Sequence, residues 1–192
     1  MRPATLLVVS GPPGAGKTTL AHTLADALDW PAICRDEIKE RLAARTDSAD
    51  DLNLQTLKEF FDTLGGILKT GSSLVAEAAF QDRLWRPGLE PLKNLARIRI
   101  VRCVIDPEIA RERITHRAAE TPSRAIHADA ELLQRIAEGK QPIQSWIPIA
   151  LDVPCLVVNN TQGWQPSLDR IIEFATLAPG PAADDQPTIH RS

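Results

Sequence analysis

Gly11-Pro12-Pro13-Gly14-Ala15-Gly16-Lys17-Thr18 is the stretch of this 192-residue chain whose residue types and spacing bear most directly on chemistry. It fits the pattern Gly-x-x-x-x-Gly-Lys-(Ser/Thr) at every required position. Glycines there let successive backbone N–H groups turn toward phosphate oxygens, and a helix starting at Lys17 would add the partial positive charge of its N-terminus. Lys17 would then reach the β- and γ-phosphates of ATP. The Thr18 hydroxyl would be an oxygen ligand for Mg²⁺, with Thr19 beside it as a further nucleotide contact. The plainer alternative is a glycine-rich turn between a strand and a helix.

Such a loop does not decide whether the phosphoryl acceptor is water, a hydroxyl or another phosphate. Transfer to a hydroxyl needs a carboxylate to take its proton and cations to offset the charge in flight. Asp36 follows an apolar run ending at Cys34 and opens a helical pattern through Ile38, Glu40 and Leu42, at what would be the carboxyl edge of a sheet. A helix N-cap would use an aspartate equally well. Glu77 sits within Val75-Ala76-Glu77-Ala78-Ala79-Phe80, either as a second carboxylate of the site or as a polar residue at a strand end. Arg113 and Arg117 are four apart and share a helix face, where Glu108 and Glu112 offer ordinary surface pairing as the alternative. Arg83, Trp85 and Arg86 follow the Glu77 run. They are either acceptor contacts, Arg83 foremost, or packing with a solvated surface. His127 and Asp129 could orient Arg124 or the acceptor.

The elements that must position these groups alternate between strand and helix. Residues 4–10 form a β-branched apolar run ending in Gly11, the signature of a strand buried on both faces of a parallel sheet. Weaker runs recur at 32–34, 73–80, 98–105 and 155–158, with helical patterns between them. Leu57, Phe60, Phe61, Leu64, Ile67 and Leu68 recur at helical spacing before Gly71. Asp106-Pro107 and Gln165-Pro166 put proline where a first helical turn begins. Residues 178–192 carry little apolar surface to offset the entropy of ordering and read as a loose tail behind one domain of residues 1–177.

Composition narrows the function classes. With 43% hydrophobic and 24% charged residues the chain reads as a globular protein, and no apolar run is long enough to span a membrane. A net charge of -3 gives no global pull toward polyanions. Cys34, Cys103 and Cys155 are far apart and lie in or beside apolar runs, so buried free thiols in a reducing, cytoplasmic setting are expected and a zinc site is not.

Arg35-Asp36-Glu37-Ile38-Lys39, taken with the phosphate-binding loop, resembles the Arg-Asp-acid-x-basic element of phage-type polynucleotide 5′-hydroxyl kinases and related small P-loop kinases, a group that takes in AAA_33 and zeta-toxin-like proteins. The similarity runs over about residues 4–160. It implies a P-loop NTPase fold, a three-layer α/β/α sandwich around a five-stranded parallel sheet of order 2-3-1-4-5, with a helical lid around 113–128. It further implies Asp36 as general base, Lys39 as an acceptor contact, and Glu77 holding a magnesium-bound water. Arg113 and Arg117, with Arg124 as a weaker third, would be lid arginines on the nucleotide, and Asn159, Asn160 and Thr161 would face adenine. Where the polynucleotide kinases carry Arg, this chain has Lys39, which lacks the bidentate phosphate clamp of a guanidinium. The expected activity is ATP-dependent phosphorylation of an alcohol group. A small molecule or nucleoside is preferred as acceptor over a nucleic-acid 5′ end, and no obligate protein partner is expected. The second choice is an ATPase or nucleotide switch without a hydroxyl acceptor.

Overall fold

The computed structural model describes residues 3–43, 49–80, 82–120 and 146–177. Five parallel strands form one sheet: β1 (Thr5–Ser10), β2 (Ala32–Cys34), β3 (Leu74–Glu77), β4 (Arg97–Val104) and β5 (Cys155–Asn159). Their spatial order is β2-β3-β1-β4-β5, the order implied by the resemblance. Crossover helices are α1 (Lys17–Leu28), α2 (Arg35–Ala43), α3 (Ala49–Lys69), α4 (Asp82–Leu89), α5 (Pro107–Glu120) and α6 (Leu168–Thr176), with a 3₁₀ turn at Glu90–Asn94.

β1 is buried along its whole length because it is the middle strand and helices cover both faces. Its side chains alternate between two cores, as the two-residue repeat of a strand requires. Leu6 and Val8 meet Phe60, Leu64, Ile98 and Ile100 on one face. Leu7 and Val9 meet Leu20, Leu24, Val101 and Ile171 on the other.

Local chemistry explains where several elements start and stop. Pro107 opens α5, and the Asp106 carboxylate accepts hydrogen bonds from the backbone N–H groups of Glu108 (2.8 Å) and Ile109 (3.4 Å). The other expected helix start is displaced: Ser167 is the N-cap of α6, and Pro166, after a cis peptide bond, stands outside it. The apolar run 73–80 yields strand only over Leu74–Glu77; the chain bends at Ala78, and Phe80 follows with a φ of 46°. The helix expected over 57–68 begins earlier, at Ala49.

Trp85 is buried rather than facing an acceptor, with ring centroids 5.5 Å from Phe60 and 4.8 Å from Phe80. The Trp146 indole N–H donates to the Ala79 carbonyl at 2.7 Å, and the Ala150 N–H to the Asp82 carboxylate at 2.8 Å. At the opposite end of the sheet Arg99 packs under Phe174 and donates to the Leu177 carbonyl at 2.7 Å, meeting the negative end of α6. Cys34 and Cys103 are buried free thiols as expected, whereas Cys155 is exposed because β5 is an edge strand. The tail 178–192 and much of the expected lid lie outside the described residues.

Candidate functional site

The candidate groups gather at the carboxyl edge of the sheet. β1 ends at Ser10 and the chain enters α1 through the loop of residues 11–16. Gly14 has φ 79°, and a Cβ there would stand 2.7 Å from the Ala110 carbonyl oxygen of α5. Gly16 has φ 75°, and a Cβ there would meet the Asn160 amide nitrogen at 2.4 Å. Glycine is therefore required by both backbone conformation and close approach. The Lys17 ammonium folds over the loop and donates to the Pro12 carbonyl at 3.1 Å.

Glu77 is placed by strand pairing. Parallel register sets it beside Val9 on one side and Cys34 on the other, so the last residue of β3 stands between the loops that follow β1 and β2. It is 4% exposed and its carboxylate accepts the Thr18 hydroxyl at 3.3 Å. Burial pushes the Glu77 carboxyl above the usual carboxylate range, opposed by the charge of Lys17 and by the Thr18 hydrogen bond. A buried carboxylate, an ammonium and a hydroxyl thus share the mouth of an anion-binding loop, an arrangement typical of sites rather than of cores.

β2 delivers the next carboxylate. Asp36 is the second residue of α2, within the first turn and so not its N-cap, and its side chain is 80% exposed. Arg35 donates to it at 3.0 Å and to the Asn53 side-chain oxygen at 3.2 Å. Lys39 lies three residues on, half-buried on the same side of α2.

The far side of the loop is closed by α5 and by the turn after β5. Arg113 donates to the Asn160 carbonyl at 2.9 Å, and the Asn160 side-chain amide donates to the Ala15 carbonyl at 3.0 Å. Asn160 therefore faces the phosphate-binding loop and ties α5 to it. Its neighbours Asn159 and Thr161 instead line a cleft of about 410 Å³ with Val104, Ile105, Asp106, Gln162 and Gln165. Sequence spacing gave no sign of the Asn160 bridge, because its partners lie 47 and 145 residues away. Arg83 lies on α4 and Arg117 on α5 by backbone position. Arg124, His127 and Asp129 lie outside the described residues.

Comparison with known proteins agrees with this architecture. The AAA_33 family model, described as an AAA domain, matches residues 6–142. No curated protein matches the chain. Among solved structures, a candidate kinase of Chloroflexus aurantiacus J-10-fl is 28% identical with a TM-score of 0.73, over 90% of this chain and 96% of that one. A gluconokinase of Sinorhizobium meliloti 1021 is 19% identical with a TM-score of 0.53, over 91% of each chain. A chain of the Pnkp1/Rnl/Hen1 RNA repair complex is 23% identical with a TM-score of 0.56, over 74% of this chain and 48% of that one. At these last two identities the likeness speaks for the fold alone. The chain belongs to the AAA_33 family and has the α/β fold of the small P-loop kinases.

Proposed function

We propose that the protein transfers the γ-phosphoryl group of ATP to a hydroxyl of a small molecule or nucleoside, with Asp36 as general base. The observation that carries this is the convergence of Lys17, Thr18 and Glu77 at the end of β1 with Asp36 at the end of the nearby β2. Supporting it are membership of AAA_33 and likeness to a candidate kinase.

In this reading the backbone N–H groups of residues 11–16 and the N-terminus of α1 hold the phosphates, with Thr18 and Thr19 in the first turn. Lys17 gives up its contact with Pro12 to pair with the β- and γ-phosphates. The cleft along Asn159 and Thr161 takes the nucleoside end. The Thr18 hydroxyl and Glu77 carboxylate are neighbouring hard oxygen donors, a set that suits Mg²⁺, with Glu77 acting directly or through a bound water. Bound there, Mg²⁺ would neutralise charge on the phosphates.

The acceptor enters beside α2, where Lys39 and Arg83 are its proposed contacts. Asp36 takes the proton of the hydroxyl as that oxygen bonds to the γ-phosphorus. The bond to the β-phosphate bridging oxygen breaks, ADP leaves, and the proton passes to solvent. Arg113 and Arg117 on α5 offset charge on the phosphoryl group, Arg113 by exchanging the Asn160 carbonyl for a phosphate oxygen. Lys39 in place of a clamping guanidinium and a net charge of -3 favour a small acceptor over a nucleic-acid 5′ end. No helix among the described residues is long and apolar enough to cross a membrane, and the cytoplasm is the location proposed.

The test is incubation with Mg²⁺, γ-labelled ATP and a panel of nucleosides, 5′-hydroxyl oligonucleotides, sugars and antibiotics, with Asp36→Asn alongside. Label in one acceptor, lost in the variant, is the expected result. ATP binding with no labelled acceptor and an unaffected variant would replace the kinase with a nucleotide switch.

A further inference from the structure

We propose that His22, Cys34 and Glu37 form a binding site for a zinc-class divalent transition ion on the flank of the phosphate-binding loop. The three residues come from α1, the end of β2 and the first turn of α2. One candidate ligand atom from each lies within 4.8 Å of the others, and no other His/Cys/Asp/Glu group among the described residues is so arranged.

The geometry turns on one atom. His22 Nε2 stands 2.7 Å from the Glu37 carboxylate and 3.7 Å from Cys34 Sγ. A single ring nitrogen carries at most one proton, so it cannot donate to both neighbours. A central cation satisfies all three. Tetrahedral coordination with Zn–S near 2.3 Å and Zn–N near 2.05 Å separates sulfur and nitrogen by about 3.6 Å. The Cys34–His22 spacing already matches that edge. The His22–Glu37 spacing must open by roughly 0.6 Å to reach a tetrahedral N···O edge. Glu37 is free to make that movement, since its side chain is 54% exposed.

Donor chemistry selects the ion. A sulfur, an imidazole nitrogen and a carboxylate oxygen suit Zn²⁺ or Co²⁺, whereas Mg²⁺ prefers an all-oxygen shell. Burial first, and then the negative carboxylates of Glu77, Glu37 and Asp36, hold the Cys34 thiol protonated in the metal-free chain, and those same carboxylates attract a cation to it. On binding, the Cys34 S–H proton leaves to solvent and a sulfur–metal bond takes its place. The exposure of His22 and Glu37 leaves the fourth position open to water. The ordinary alternative is a metal-free cluster in which the His22 ring N–H and the Cys34 S–H both donate to the Glu37 carboxylate, and such a cluster gives no thiolate-to-cobalt band. Paired-cysteine spacing could not reveal this site, since it has one cysteine and depends on β2 lying beside α1.

Such an ion would tie α1 to the junction of β2 and α2 and fix Glu37, the residue next to Asp36. Binding does not depend on the proposed phosphoryl transfer and is tested without it. The purified full chain, stripped with chelator, is titrated with Co²⁺ and its absorption recorded. One equivalent is expected to give a thiolate-to-cobalt charge-transfer band in the near ultraviolet together with strong visible tetrahedral bands, both removed by Zn²⁺ and unaffected by excess Mg²⁺. Cys34→Ser should abolish the charge-transfer band while Cys155→Ser keeps it, and circular dichroism shows whether Cys34→Ser is folded. Because His22 and Glu37 are exposed, His22→Ala and Glu37→Gln should fold and weaken Co²⁺ affinity at least about ten-fold. A band that survives in Cys34→Ser, an affinity unchanged in His22→Ala, or no Co²⁺ or Zn²⁺ bound by the parent chain would overturn the site.

Discussion

The two flanks of the phosphate-binding loop are built differently. On the β4–β5 flank the loop is in close contact with its neighbours: Gly14 lies against Ala110, Gly16 against Asn160, and Asn160 also holds Arg113. On the β2 flank the carboxylate of Asp36 stands largely in solvent and accepts a hydrogen bond from the adjacent Arg35. A packed flank suits a ligand with fixed phosphate geometry. An open one leaves room for an acceptor and requires that acceptor, or a closing segment, to exclude water before proton transfer becomes efficient. Nucleotide affinity should therefore depend mainly on the packed flank and acceptor choice on the open one.

The largest expected effect belongs to the centre shared by both. Lys17→Met should lower kcat by about 10³-fold or more with the fold retained, measured by label transfer and circular dichroism. Asp36→Asn should cost on the order of 10²–10³ in kcat and leave the affinity for a non-hydrolysable ATP analogue unchanged, measured by calorimetry. Loss of that affinity as well would break the division between the flanks. Gly14→Ala tests the packed side, because its Cβ would be 2.7 Å from a backbone oxygen at a positive φ. A stability loss of about 2 kcal/mol in urea melts and weaker nucleotide binding are expected. Lys39→Ala should raise the KM for the acceptor roughly ten-fold while the KM for ATP stays put, as removal of one charge-assisted contact implies.

The smallest effect is thermal. The folded Glu77 carboxyl keeps its proton to higher pH than the same group in the unfolded chain, so its ionisation opposes folding. That penalty is full above the folded pKa and absent below the unfolded one. Glu77→Gln should therefore raise the Tm of the ligand-free protein by a few degrees at pH 7, a gain that fades as pH falls through the acid range. A Tm gain that grew toward acid pH would contradict the burial of this carboxylate.

The centre shared by the two flanks was more legible in sequence than either flank. β1, the glycine loop and the start of α1 are contiguous, so strand pattern, glycine spacing and the Lys17-Thr18 pair signal one local structure. Glu77 was legible as a strand-end acid, though its burial comes from pairing with β1 and β2. Trp85 next to Arg86 offered both an acceptor contact and core packing. Phe60 and Phe80, distant in sequence, decided for the core. The polar first half of α3 carries too little apolar repeat to reveal its start at Ala49. Asn160 and the His22–Cys34–Glu37 group were hidden for a common reason: what they do is fixed by which elements become neighbours, and spacing along the chain does not report that.

The Trp146 indole hydrogen bond to the Ala79 carbonyl, two residues past Glu77, gives the protein an optical reporter of its own. Indole fluorescence shifts in wavelength and intensity when its N–H partner or local polarity changes. Arrival of an acceptor between Asp36 and the end of β3 can therefore be timed by stopped-flow emission, without a dye, with Trp146→Phe supplying the blank.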